Sequence, residues 1–140
     1  MELNLAGLKE FSAAIDKMIA DVDIATHLAV SKGISVIERQ AKENATGRPG
    51  PNIGFGNLRR SIRSTPVQAL GAGSYMAEVG PRMIYGRRIE LGMQGPDSLG
   101  RQINQQPYPF LGPAVKWAIE GPLPLIFERS WGREVMKAGQ

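Results

Sequence analysis

The 140-residue sequence contains no cysteine, a single histidine (His27) and only 6% aromatic residues. Without cysteine there is no disulfide framework, no thiolate metal site and no cysteine nucleophile. One histidine argues against a His-based metal cluster or a Ser-His-Asp triad, and on a helix His27 reads as a surface or boundary residue. No stretch comes near the about 18 consecutive apolar residues that a membrane span needs. The opening MELNLAGLKEF has an acid at position 2 and no sustained apolar run, so it is not expected to act as a signal peptide. Without such a signal the Asn44-Ala45-Thr46 glycosylation triplet reads as a chance match. The expected compartment is reducing and aqueous, or a particle assembled there.

Enzyme motifs are missing as well. Gly54-Phe55-Gly56-Asn57-Leu58-Arg59 starts like a dinucleotide fingerprint, but it has Arg in place of the third Gly and follows a loop rather than a strand. It reads as a loop leading into a Leu58/Ile62 core anchor. There is no phosphate-binding Gly-Lys-Ser/Thr element and no nucleophile elbow. Asp21 and Asp23 are two apart, so on a helix they face different ways, which suits capping better than shared proton chemistry. Glu90 follows Arg87 and Arg88, and a solvated or inter-subunit salt bridge outranks a general acid there. We expect no enzyme and no cofactor.

What the chain does carry is positive charge in its middle. The net charge is +4, and residues 41–105 hold nine basic groups against four acidic ones, eight of the nine being Arg. Residues 1–40 run the other way, with four basic and six acidic groups. Guanidinium is weakly hydrated and forked, so it suits phosphate contact and protein interfaces alike. Arg59, Arg60 and Arg63 are the candidates for nucleic-acid contact, with Arg48 in the loop just before them and Tyr75 and Tyr85 as rings that could stack on bases. No groove-reading helix or stacking sheet accompanies them, so a positive surface lining a DNA passage fits better than sequence-specific recognition.

Periodicity predicts one α+β domain. Leu8, Phe11, Ile15, Met18 and Val22 form an apolar stripe at helical spacing, and Ile24, Leu28, Ile34, Ile37 and Ala41 continue it. Residues 1–45 are therefore expected as a short helix followed by a long one near Asp21 and Asp23, or a single kinked helix. Residues 46–57, with four Gly and two Pro, form a loop. Residues 61–70 and 74–79 alternate loosely and read as an antiparallel hairpin, with Pro66 at an edge or bulge. A short helix over 83–91, a Gly/Pro/Gln-rich loop over 92–106, and helices over 114–120 and 125–137 complete the α+β core of residues 58–140. Leu123, Leu125, Ile126, Phe127 and Trp131 leave the C-terminal region more apolar than one helix face needs, which suggests an oligomer interface.

Three landmarks, in order, give a resemblance that covers nearly the whole chain. They are Gly56-Asn57-Leu58-Arg59-Arg60-Ser61-Ile62, then Val79-Gly80 with Tyr85 and Ile89-Glu90-Leu91-Gly92, then Pro107-Tyr108-Pro109-Phe110-Leu111-Gly112-Pro113-Ala114. With a helical first 45 residues, this resembles the small neck or tail-completion proteins of long-tailed bacteriophages, often labelled minor tail proteins. Gly86 departs from the Ala usual there, Leu91 from an aromatic, Met93 from Thr, and Pro122 and Pro124 break the late helical region.

The resemblance implies a structural virion protein, assembled in the host cytoplasm, that forms a homo-oligomeric ring, expected to be a hexamer. Such a ring joins the head-closure or connector protein to the tail terminator or tail tube protein and lets phage DNA pass, with no membrane involved. Arg48, Arg59, Arg60 and Arg63 would then face the DNA channel non-specifically. Arg87, Arg88, Glu90, Phe110, Leu111 and Trp131 would lie at subunit interfaces. A tail terminator ring is the close sibling reading. A small basic nucleic-acid-binding protein is the competing class.

Overall fold

The computed structural model describes residues 5–52 and 56–138. One helix, α1 (Leu5–Asn44), runs without interruption for 40 residues. The break expected near Asp21 and Asp23 does not occur. No proline interrupts the segment, and Ala20, Ala25 and Ala29 keep it strongly helix-forming across the two aspartates. From Ala25 onward α1 buries a row at every fourth position: Ala25, Ala29, Gly33, Ile37 and Ala41. Small side chains there allow two later helices, α4 (Leu111–Glu120) and α5 (Pro122–Ala138), to approach closely.

Between α1 and α4 lie a five-residue helix, α2 (Asn57–Ser61), and three two-stranded antiparallel sheets. Strand β1 (Ile62–Ser64) pairs with β4 (Val79–Pro81), and β2 (Gln68–Gly71) pairs with β3 (Ser74–Met76). These are the inner and outer parts of the expected hairpin, interrupted beside Pro66, which has no N–H for the ladder. The first residue of the expected strand, Ser61, ends α2 instead. The short middle helix is α3 (Gly86–Leu91).

The stretch expected as a loop over 92–106 contains a third hairpin, β5 (Met93–Pro96) with β6 (Gln102–Gln105). Its strands are rich in Gln, Asn, Gly and Pro, which hid them from a pattern search. The turn is closed by Asp97, whose Oδ1 accepts the N–H groups of Leu99 and Arg101, both at 2.9 Å. The Arg101 guanidinium donates to Oδ2 at 2.7 Å. That side-chain bond, with the backbone N–H of Arg101, holds the Asp97 carboxyl below its usual range.

The core joins all parts. Phe110 and Ile62 are its largest fully buried side chains, packed with Ile37, Leu58, Ala41, Ala45, Ala114 and Ala118. The Leu58/Ile62 anchor is thus realised, while Gly54 and Phe55 lie outside the described residues. Helix α5 starts at Pro122 rather than at Leu125. Pro122 and Pro124 sit in its first turn, where a missing N–H removes no intrahelical bond.

Candidate functional site: a basic strip and an uncovered apolar surface

The arginines are set by short elements tied to α1. Glu38 of α1 accepts the backbone N–H of Ser64 (2.8 Å) and its hydroxyl (2.6 Å), which fastens β1 to the helix. Lys42, one turn further along, pairs with the same carboxylate. Burial alone would raise the Glu38 pKa. The bonds from Lys42 and Ser64 outweigh it and bring the value down to about 2.

This fastening brings Lys42, Arg59, Arg60 and Arg63 around one hollow of about 370 Å³, with Gly56 on its edge. Arg60 is oriented by the Asn57 side-chain oxygen at 2.9 Å. Arg63 also lines a neighbouring hollow of about 180 Å³ that includes Thr65, Glu78 and Arg82. The basic strip therefore runs from Lys42 to Arg82, with Glu78 as the acidic group lining it. Sequence reading missed Lys42 and Arg82. The first was signalled by its position four after Glu38, and the second by following the strand that pairs with β1.

Arg48 does not line either hollow. Its guanidinium carbon stacks 3.7 Å from the centre of the Tyr108 ring, a cation–π contact that pins the 46–52 segment to the approach of α4. The tyrosines singled out as stacking platforms are engaged as well. Tyr85 packs against the core. The Tyr75 hydroxyl bonds the Asp23 carboxylate, which raises the phenol pKa, and its ring meets His27 edge-on at 5.4 Å. His27 itself is exposed, as its helical position suggested.

The six expected interface residues are not gathered in one place. Phe110 is fully buried in the core and is unavailable to a neighbour, a correction that follows from its position between α1 and α4. Leu111 packs against that core, half-buried. Glu90 is paired with neither Arg87 nor Arg88. Its Oε2 accepts the N–H groups of Phe110 (2.8 Å) and Leu111 (3.0 Å), and its Oε1 that of Gly112 (2.8 Å). A carboxylate from α3 thereby caps α4, a negative charge on orphan N–H groups at the positive end of a helix. Arg87 is exposed and Arg88 half-buried. Trp131 lies elsewhere, on α5, 43% exposed, with its indole N–H donating to the Thr26 hydroxyl at 3.0 Å.

No family model, curated protein or solved structure matches the chain. Its chemistry is therefore read from its own residues. Among the described residues no group of three or more His, Asp or Glu side chains could hold a metal ion, and no helix is long and apolar enough to cross a membrane. A strip of guanidinium groups on an open surface can bind phosphates electrostatically.

The apolar surface is equally informative. On α1, Leu8, Phe11, Ile15, Met18 and Ile19 are 41–65% exposed. Every residue from 6 to 20 is exposed. Leu125, Val135 and Met136 of α5 are exposed as well. The buried apolar set among the described residues is mostly alanine. Many large hydrophobic side chains are therefore exposed, while alanines make up most of the fully buried apolar set.

Proposed function

We propose that this chain is a structural protein of a bacteriophage neck or tail, acting as a homo-oligomeric ring between head connector and tail tube, with DNA passing through it. The observation that carries the reading is surface area. The chain exposes 10034 Å², whereas a compact monomer of 15.2 kDa is expected to expose roughly 7,100 Å². An excess of about 2,900 Å² exceeds the about 800 Å² that each side of a standard interface covers. It leaves room for two neighbours and an adjoining ring. The strip from Lys42 to Arg82 supplies the non-specific phosphate contact that a DNA passage needs. The three sequence landmarks supply the resemblance to neck and tail-completion proteins.

Light scattering and negative-stain imaging, on the chain alone and mixed with connectors and tail tubes, test this directly. The expected result is a closed ring, sixfold, that seats on tube or connector ends. A dispersed monomer that ignores both and binds one short duplex sequence tightly would establish the competing nucleic-acid-binding reading instead. A ring that caps growing tubes and stops their elongation would assign the tail terminator role.

A further inference from the structure

The uncovered part of α1 has a definite extent. The Trp131 to Thr26 bond, and Leu123 lying beside Gly33, show α5 running antiparallel to α1. Going from Thr26 to Gly33 on α1 corresponds to going back from Trp131 to Leu123 on α5. The end of α5 at Ala138 therefore falls opposite about residue 19. The turns before that point project by about 20 Å at 1.5 Å per residue. This projection carries Leu8, Phe11, Ile15 and Ile19 as an exposed apolar stripe.

Charge says which partner. The apolar hollow at the base of this projection, about 750 Å³, is lined by Met18, Ile19 and Val22 of α1 and by Ala72 and Gly73 of the β2–β3 turn, and the ionisable side chains lining it are Asp16 and Asp23. Two such faces brought together would set acid against acid, which disfavours a symmetric pairing of arms. The complementary surface lies on the same chain. A groove of about 240 Å³ between α1 and α5 has an apolar floor of Ala25, Leu28 and Ile126, rimmed by Lys32, Arg129 and Arg133. Its one acid, Glu134, is already paired with Lys137. At 100° per residue, the hollow and the groove fall on roughly opposite sides of α1.

We propose that the projecting N-terminal part of α1 is a docking arm whose apolar stripe, with the acid-rimmed hollow at its base, seats on the basic α1–α5 groove of a second copy of this chain. The contact is heterologous, because hollow and groove are different surfaces, so each copy gives one and receives one. Repeated with closure it produces a ring. This rests on the ring reading above, and it specifies which surfaces build that ring.

Charge exchange tests it. An arm variant, Asp16→Lys with Asp23→Lys, and a groove variant, Arg129→Glu with Arg133→Glu, are each expected to stay monomeric at tenfold the concentration at which the wild type half-assembles. Mixed in equal amounts they are expected to assemble again, since each arm then meets a groove of opposite sign. Because Asp23 also holds Tyr75, a third variant, Phe11→Ser with Ile15→Ser, disrupts only the exposed arm. It is expected to be monomeric with an unchanged melting temperature. Wild-type rings together with variant rings of the same mass overturn the arm contact and leave the ring reading standing, as does a mixture that stays monomeric. A wild type that never assembles, alone or with tail tubes, removes the ring reading and this contact with it.

Discussion

A carboxylate two residues after an arginine pair invites an ion pair, yet Glu90 spends its oxygens on three backbone N–H groups at the start of α4. Those groups have no partner within the helix, so losing the carboxylate leaves them without one beside the core. Glu90→Ala is expected to destabilise the chain by about 1–3 kcal/mol, read from urea unfolding. Glu90→Gln retains one carbonyl acceptor and is expected to cost less. Equal losses for both would assign the effect to packing. Glu38 carries a different consequence, in pH. Despite the opposing effect of burial, the bonds from Lys42 and Ser64 hold its pKa at about 2 in the folded chain, against an ordinary value of 4.5. Above pH 4.5 the carboxylate is ionised in both states and its contribution is complete. As pH falls through 4.5 the unfolded chain takes up the proton first, and the contribution is lost progressively toward pH 2. The amount is on the order of 2 kcal/mol after allowance for solvent screening. In Glu38→Gln that part of the acid-side slope should be absent, and an unchanged slope would place it on another carboxylate.

At the level of elements, the departures from expectation have a common cause. The helices were legible because apolar residues recur at helical spacing, yet in α1 that stripe from Leu8 to Met18 is exposed and the buried row is mostly alanine and glycine. Hairpin β5–β6 was not legible, since its order comes from the Asp97 turn and backbone pairing rather than from a buried face. The candidate site was half legible. Arg59, Arg60 and Arg63 converge because α2 and β1 are consecutive, while Lys42 joins them only through the fold. The interface role given to Phe110 failed because Pro-Phe-Leu carries no periodicity to say which residue turns inward. Gly86 shows the same limit. It stands where the resembling family usually has Ala, and a Cβ there would lie 2.4 Å from Pro81 Cγ and 2.7 Å from Pro81 Cβ. The proline ring closing β4 cannot swing aside as a free side-chain end could. Gly86→Ala is therefore expected to destabilise by about 1–3 kcal/mol, despite the better helix propensity of alanine. Thermal melts of Gly86→Ala, alone and with Pro81→Ala, check this: the second change should recover part of the loss. Gly33 offers the contrast, because the contact there is the mobile end of Leu123. Alanine at Gly33 should be nearly neutral, since gained helix propensity offsets the contact.

For the whole molecule, the basic strip and the docking arm make separable predictions about DNA. If the strip touches phosphates non-specifically, affinity depends on salt through the counterions released, with a slope of about 0.9 per phosphate neutralised. Replacing Arg59 and Arg63 with alanine should lower that slope by about 2 and weaken binding equally on unrelated duplexes. Neither residue lines the arm hollow or the α1–α5 groove, so ring mass should not change. Arm variants should act the other way round. Phe11→Ser with Ile15→Ser leaves every arginine in place but should disperse the proposed ring, and with it the avidity expected from presenting many strips to one duplex. Apparent affinity for long DNA should then fall by tenfold or more, while affinity for a duplex too short to span two subunits stays the same. Fluorescence anisotropy on short and long duplexes across a salt series reads both effects. A sequence-dependent loss in the arginine variant would point to base recognition. Equal losses on short and long DNA in the arm variant would show that the strip works one subunit at a time, and the ring would then add nothing to the grip on DNA.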